Sequence, residues 1–251
     1  PDYNGLKMVL GGVTLSGDAI QSLRQRIVEG RFTSGTGQLR RHDIREDYLQ
    51  RIVGDIRLAR SMRIAIDCGN GVAGATAADL YRRLGCEVID MGVVRDDPQL
   101  IEQAFRSAAQ TADVVITSGG VSVGEADFVK AMLDRLGEVV FWKIAMKPGR
   151  PLAYGHIGGA HFFGLPGNPV SVMVTFYQFV RDALLKLSGR DPLPSVPSFR
   201  VPCTTPLKKA PGRTEFQRGV LTQDAAGNWS VAVTGEQGSG ILRSMCEANC
   251  F

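Results

Sequence analysis

Twice in this chain an apolar run breaks into glycines and restarts as a helical pattern, and that repeated order constrains the fold more than any other feature. Val114 to Ile116 is apolar, Ser118-Gly119-Gly120 interrupts it, and a helix-like pattern follows from Glu125. Phe162 to Leu165 is apolar, and Gly164-Leu165-Pro166-Gly167-Asn168-Pro169 gives way to a second such pattern. Each reads as strand, glycine loop, helix. Parallel strands deliver such loops to one edge of a sheet, where helix N-termini offer unpaired N–H groups and the positive end of the helix dipole. An edge of that kind favours anions.

Between the loops lies FWKIAMKPGR, residues 141–150. If it is extended, Lys143 and Lys147 share a face, because side chains alternate with a period of two. With Arg150 they would bring three cations near two anion-ready loops, which suits a phosphorylated or oxyanionic ligand. The plainer reading is that edge lysines prevent aggregation and that glycines serve tight turns. Either loop alone favours the plainer reading; both loops with the lysines between them favour a ligand site.

These residues also carry a resemblance. SGGVSVGEAD (118–127), FWKIAMKPGRP (141–151), GLPGNPVS (164–171), PGRTEFQRG (211–219) and GEQGS (235–239), with RDDP at 95–98 and a closing NCF, stand in the order and spacing of the molybdopterin molybdenumtransferase family, to which MoeA and the gephyrin E domain belong. The likeness runs from about Leu84 to Phe251. It implies a three-layer α/β fold with helices on both faces of the sheet, and a C-terminal β barrel. Phe251 arrives early for that barrel, so an incomplete one with an unpaired edge is expected.

The first part of the chain reads differently. Leu6 to Leu10 is a short apolar run, Gly11-Gly12 a turn, and Ser16-Gly17-Asp18 caps a helix carrying Ile20, Leu23 and Ile27. A second amphipathic helix is expected from Asp43 to about Ala59, its arginines forming a solvated face. Then MRIAIDCGNGVAG (62–74), a helix over 75–84 and a strand over 86–90 make another strand-helix-strand unit. PDYNGLK (1–7), the capped helix, YLQRI (48–52) and this unit resemble bacterial phosphomannomutase/phosphoglucomutase, an α-D-phosphohexomutase, over about residues 1–90. The two resemblances meet at residues 84–90, a phrase that suits both. The chain therefore reads as a chimera, through fusion, design or sequence assembly, with a sheet that could continue across the junction. PDYNG reads as a loop cut from something longer.

The expected organisation is a mutase-like fragment and connecting helix over 1–61, an α/β molybdopterin-binding-like domain over 62–189, and an incomplete barrel over 198–251 with runs at 199–203, 216–221 and 229–233. Val170 to Leu187, apolar nearly all round, reads as a buried helix with Asn168 as N-cap and Pro169 at its first position. The stripes before Ser61 need a partner surface, so that segment is expected to be mobile or packed between molecules.

Composition only sets bounds. With 44% hydrophobic and 22% charged residues and a net charge of +4, the chain is of ordinary globular type and carries no basic, aromatic-interleaved face for nucleic acid. No run reaches the roughly 18 apolar residues of a membrane span. Five cysteines without a CxxC pair suggest neither a disulfide framework nor zinc, and point to the cytoplasm.

The transferase resemblance implies a pocket for adenylylated molybdopterin, whose phosphoanhydride is cleaved with a divalent metal, releasing AMP, while molybdate enters the dithiolene. It places Asp96 and Asp127 near magnesium and nucleotide, as hard oxygen donors. Lys143 and Lys147 hold molybdate and phosphate oxygens, and Arg150 adds a cation. Ser118, Gly119, Gly120, Ser122 and Gly124 form the pterin-phosphate loop. Pro166 and Pro169 shape the second loop, and Arg218 and Ser239 border the site from the small domain. Each has a plainer alternative: Asp127 suits any first helical turn, Asp96 any helix cap, Arg218 a surface ion pair, Ser239 a turn.

There are departures. Asp67-Cys68-Gly69-Asn70-Gly71 stands where the family has a Thr-Gly-Asp-Glu-type loop, and the family's long N-terminal region, which supports its dimer, has no counterpart, so homodimerisation stays open. On the mutase side the phosphoserine and magnesium loops are absent, which leaves Lys7 nothing to act on. Three readings follow: a molybdenumtransferase, impaired or not; a non-catalytic pterin or anion-binding scaffold; and a mutase remnant without its serine.

Overall fold

The computed structural model describes residues 8–11, 13–58, 60–66, 73–92, 94, 97–118 and 132–251. Residues 1–46 and 47–251 form two compact units. In the first, β1 (Val9–Leu10) and β2 (Val13–Thr14) make an antiparallel hairpin. It is followed by α1 (Gly17–Val28), with Ser16 at the N-cap in extended backbone, Asp18 in the first turn and Arg26 in the last. Ile20 and Leu23 are half-buried, Ile27 is exposed, and no residue of α1 is buried.

A second helix, α2 (Arg45–Asp55), leads into the larger unit and is shorter at both ends than the sequence predicts; its Leu49 is wholly buried. Next come β3 (Arg63–Ile66), α3 (Gly74–Arg83) and β4 (Glu87–Asp90), with the strands parallel and Ile64 opposite Val88. Then α4 (Pro98–Thr111) begins at Asp97, whose carboxylate accepts the Gln99 and Leu100 amides at 2.9 and 3.1 Å, with Pro98 at the first helical position. Its capping satisfies two donors that helix geometry leaves open.

The main sheet has the order β5-β9-β8-β6, from β5 (Val114–Ser118), β6 (Gly137–Phe141), β8 (Ala153–Ile157) and β9 (Ala160–Leu165). A short β7 (Met146–Lys147) stands apart from it. The β5–β9 pair is parallel and the other two are antiparallel. Alternation sorts the side chains into two faces. On one, Val115, Ala153, Ile157, Ala160 and Phe162 pack with Met132 and Leu133 and with Ile101, Phe105, Ala108 and Ala109 of α4. On the other, Leu152, Phe163, Leu165 and Val180 pack with Val172, Phe176, Phe179, Ala183 and Leu184.

That second cover is one apolar segment, as its composition predicts: α5 (Pro169–Thr175), a π-helical turn (Phe176–Val180) and α6 (Arg181–Leu187). The architecture is thus α/β with helices on both faces. Continuity across the junction is not seen: among the described residues β3 and β4 form a separate two-stranded sheet, and Ile64, Ala65 and Ile66 are only half-buried.

The C-terminal residues hold β10 (Thr214–Glu215), a hairpin of β11 (Gly219–Gln223) and β12 (Trp229–Val233), and α7 (Arg243–Glu247). The run at 199–203 contributes a single bridge, Cys203 to Val231, rather than a strand. The run at 216–221 starts its strand at Gly219, because Phe216 is drawn to Lys147 instead. No closed barrel forms among the described residues.

Candidate functional site

Parallel pairing puts the carboxyl ends of β5 and β9 at one edge, with Ser118 opposite Leu165. There the Ser118 hydroxyl donates to the Pro166 carbonyl at 3.3 Å, so the starts of both glycine loops are tied together. Gly119, Gly120, Ser122, Gly124, Asp127 and Asp96 lie outside the described residues. The second loop is described in full. Pro166 is buried, Asn168 takes the extended N-cap conformation and Pro169 opens α5.

Asn168 does not cap its own helix with its side chain. Its amide donates to the Ser239 hydroxyl at 3.2 Å, and the Val170 amide donates to the Ser239 carbonyl at 3.1 Å. A residue from the C-terminal region thereby satisfies one of the open donors of the first turn. Sequence reasoning places Ser239 at the border of the site, and the geometry seats it on the second loop.

The lysine segment is held by its buried side. From Lys143 to Pro148 exposure alternates, with Lys143, Ala145 and Lys147 outward and Ile144, Met146 and Pro148 inward. Only 146–147 is a strand, paired in parallel with β10. The Thr214 amide reaches the Ala145 carbonyl at 2.9 Å, and the Phe216 amide the Lys147 carbonyl at 2.8 Å. Met146 packs against Val170 and Val174 of α5, with Phe216 and Met245 alongside. Gly149 has φ +100°, and a Cβ there would lie 2.5 Å from Thr175 Cγ2, so neither backbone nor space admits a side chain.

Lys147 Nζ lies 3.8 Å from the Glu215 carboxylate; the lysine side chain is 55% exposed and the glutamate 8%. Lys143 and Arg150 are exposed and have no ion-pair partner among the described residues. Beside Lys147 and Pro148 opens a cleft of ≈ 320 Å³ whose walls include Lys208, Glu215, Arg218 and Gln237. Two lysines at its wall favour an anionic occupant, and Glu215 already offsets one of them.

Arg218 departs from the surface ion pair that sequence alone allows. It is 1% exposed. Its guanidinium donates to Ser244 Oγ at 3.0 Å, the Gly238 carbonyl at 3.2 Å and the Phe216 carbonyl at 3.5 Å. Burial lowers its pKa, but a guanidinium stays charged in proteins, so the cost is met by hydrogen bonds. Gln237 completes the brace: its carbonyl accepts the Arg218 amide at 2.8 Å, and its Nε2 donates to the Arg218 carbonyl and to Thr234. A run of contacts therefore links Ser118, Pro166, Asn168, Ser239, Arg218 and Lys147.

A match to the family described as probable molybdopterin binding domain covers residues 53–186, more than half of the chain. The chain belongs to this family. A second match, to the MoeA C-terminal region (domain IV), covers residues 200–251. The molybdopterin molybdenumtransferase of Haemophilus influenzae is 50% identical over 172 residues, 68% of this chain and 43% of that protein. The phosphomannomutase/phosphoglucomutase of Pseudomonas aeruginosa is 46% identical over 91 residues, 36% of this chain and 20% of that protein. The chain thus spans less than half the length of these curated relatives. A crystal structure of the molybdopterin biosynthesis moeA protein of Pyrococcus horikoshii aligns with a TM-score of 0.50 and 25% identity, over 75% of this chain and 48% of that one.

Across the two matched regions the geometry adds roles that sequence reasoning does not assign. Asn168, Gln237 and Ser244 have no titratable group to draw notice, yet Asn168 connects the second loop to Ser239, and Gln237 and Ser244 hold Arg218 within the C-terminal region. The signal for two of them was present, since Asn168 and Gln237 fall inside the motifs quoted above.

Proposed function

We propose that this chain works in molybdenum cofactor biosynthesis, binding adenylylated molybdopterin at the sheet edge and taking molybdate into its dithiolene with release of AMP. The contact run from Ser118 to Lys147 carries this reading, because it gathers loop, lysine segment and C-terminal region at one edge. In it Lys143, Lys147 and Arg150 hold molybdate and phosphate oxygens. Ser118, Gly119, Gly120, Ser122 and Gly124 are assigned to the pterin phosphate, and Pro166 and Pro169 to the second loop. Arg218 and Ser239 position that loop from behind. Asp96 and Asp127 are hard oxygen donors of the kind magnesium takes. When bound, magnesium would neutralise charge on the phosphoanhydride, whose cleavage releases AMP.

The two partial relatives support a further statement, that the chain joins a mutase-derived segment to a molybdenumtransferase-derived one at residues 84–90. A single sequencing read through those codons from source DNA tests the joint; two separate reading frames would dismiss it.

Function is tested by calorimetric titration of the chain with molybdopterin-AMP and magnesium, beside the Lys143→Ala, Lys147→Ala double variant. Binding that the double variant loses, followed by molybdate-dependent AMP release, supports the transferase. Binding without AMP release leaves a pterin-binding module. No binding by the folded chain defeats both.

A further inference from the structure

The sheet end opposite the two loops carries a side-chain pair that the molybdopterin reading does not use. β8 and β9 turn into one another through Gly158 and Gly159, and His156 stands directly across from His161. Beyond a two-residue turn, the Ile157–Ala160 pair exchanges hydrogen bonds. The next pair, His156–His161, is of the non-hydrogen-bonded kind, in which side chains approach most closely. Their ring centres are 4.8 Å apart with the planes at 52°. Both rings are half-buried.

Tyr154, on the same face, fixes one of them. Its Oη lies 3.0 Å from His161 Nδ1. In the tautomer that donates from Nδ1 to the tyrosine oxygen, Nε2 keeps its lone pair, the arrangement that outer partners impose on metal-binding imidazoles.

We propose that His156 and His161 form a two-histidine site for a divalent transition-metal ion of the nickel or zinc class. With each donor nitrogen about 1.1 Å from its ring centre and about 2.1 Å from the ion, the observed spacing subtends about 95° at the metal, between octahedral and tetrahedral values. Imidazole is a ligand such ions accept. Among the described residues no third His, Cys, Asp or Glu completes a cluster, so water fills the remaining positions. Glu138, opposite His156 on β6, shares this face one strand further out. The site lies at the amino end of β9, whereas the second loop leaves its carboxyl end.

The chain has three histidines, His42, His156 and His161, which keeps the background low. A tag-free preparation is titrated with NiCl2 in a chelator-free buffer, by calorimetry and by 1H–15N spectra. One saturable site is expected, with the amides of residues 154–163 broadened first. His156→Gln and His161→Gln should each weaken binding at least tenfold, and His42→Gln should leave it unchanged. The proposal is overturned by broadening centred on His42 or on the exposed Cys203 and Cys246, by equal affinity in both hairpin variants, or by no saturable binding to the folded chain. The spectra of the unaltered chain decide the matter even where a variant fails to fold.

Discussion

The four-stranded sheet and the β3–β4 pair are both built from strand-helix-strand grammar, yet they are held very differently. The larger sheet has helices on both faces, and Phe162, with Leu152 and Val180 packed on the other side, is wholly buried. The smaller pair has four ladder positions, apolar side chains that are half-buried or, at Ile89, exposed, and an exposed ion pair, Arg63 with Glu87 at 3.1 Å. Exposed pairs of that sort contribute little. Grammar alone therefore specifies local structure, while the number of covered faces sets how firmly it is held. Residues 8–28 extend the contrast: α1 has an amphipathic pattern and buries nothing.

Substitutions can widen or close this contrast. Phe162→Ala removes a fully buried ring that meets Phe105 edge to face at 5.6 Å; a loss of about 3–5 kcal/mol is expected from urea unfolding. Gly149→Ala should cost about 2 kcal/mol, because it forces φ +100° on an alanine and drives its Cβ against Thr175. Thr175 is itself fixed by hydrogen bonds to the Ser171 and Val172 carbonyls. By contrast, Ile27→Ala in α1, where Ile27 is 63% exposed, should stay within about 0.5 kcal/mol. A loss above 1 kcal/mol there would mean that residues 1–46 are packed against something. Amide exchange gives the same comparison without substitution: α1 should exchange much faster than β8.

The smallest effect concerns pH. Asp224 closes the β11–β12 hairpin, accepting the Asn228 side chain at 3.0 Å and the Asn228 and Ala226 amides at 2.8 and 2.9 Å. These bonds, the Asn228 side chain foremost, lower its pKa. A depressed carboxylate contributes stability above its ordinary pKa and loses it as pH falls through the folded value. The hairpin amides near Asn228 should thus lose protection only in that acid window, and Asp224→Asn should remove the dependence.

How much of this was legible follows from distance along the chain. The strand ends that open each glycine loop, the Asn168–Pro169 helix start and the alternation from Lys143 to Pro148 depend on near neighbours, and the sequence displays them, whereas the bond tying Ser118 to Pro166 spans 48 residues. Arg218 could not be read, since its partners Gly238 and Ser244 lie 20 and 26 residues away. The same holds for β7, whose partner β10 is a separate two-residue strand late in the chain. The separation of β3–β4 from the main sheet was equally hidden, because a phrase at 84–90 that suits two families carries no record of which neighbour it should pair with.

The β7–β10 pairing has a consequence for how the chain comes apart. Residues 188–200 are almost all exposed and carry no strand or helix, so a protease can cut there. The fragments would not separate. Met146 would still be packed against Phe216 and Met245, and Ser239 would still grip Asn168 and Val170. A nicked chain should therefore elute from a sizing column as one particle and fall into two pieces only in denaturant.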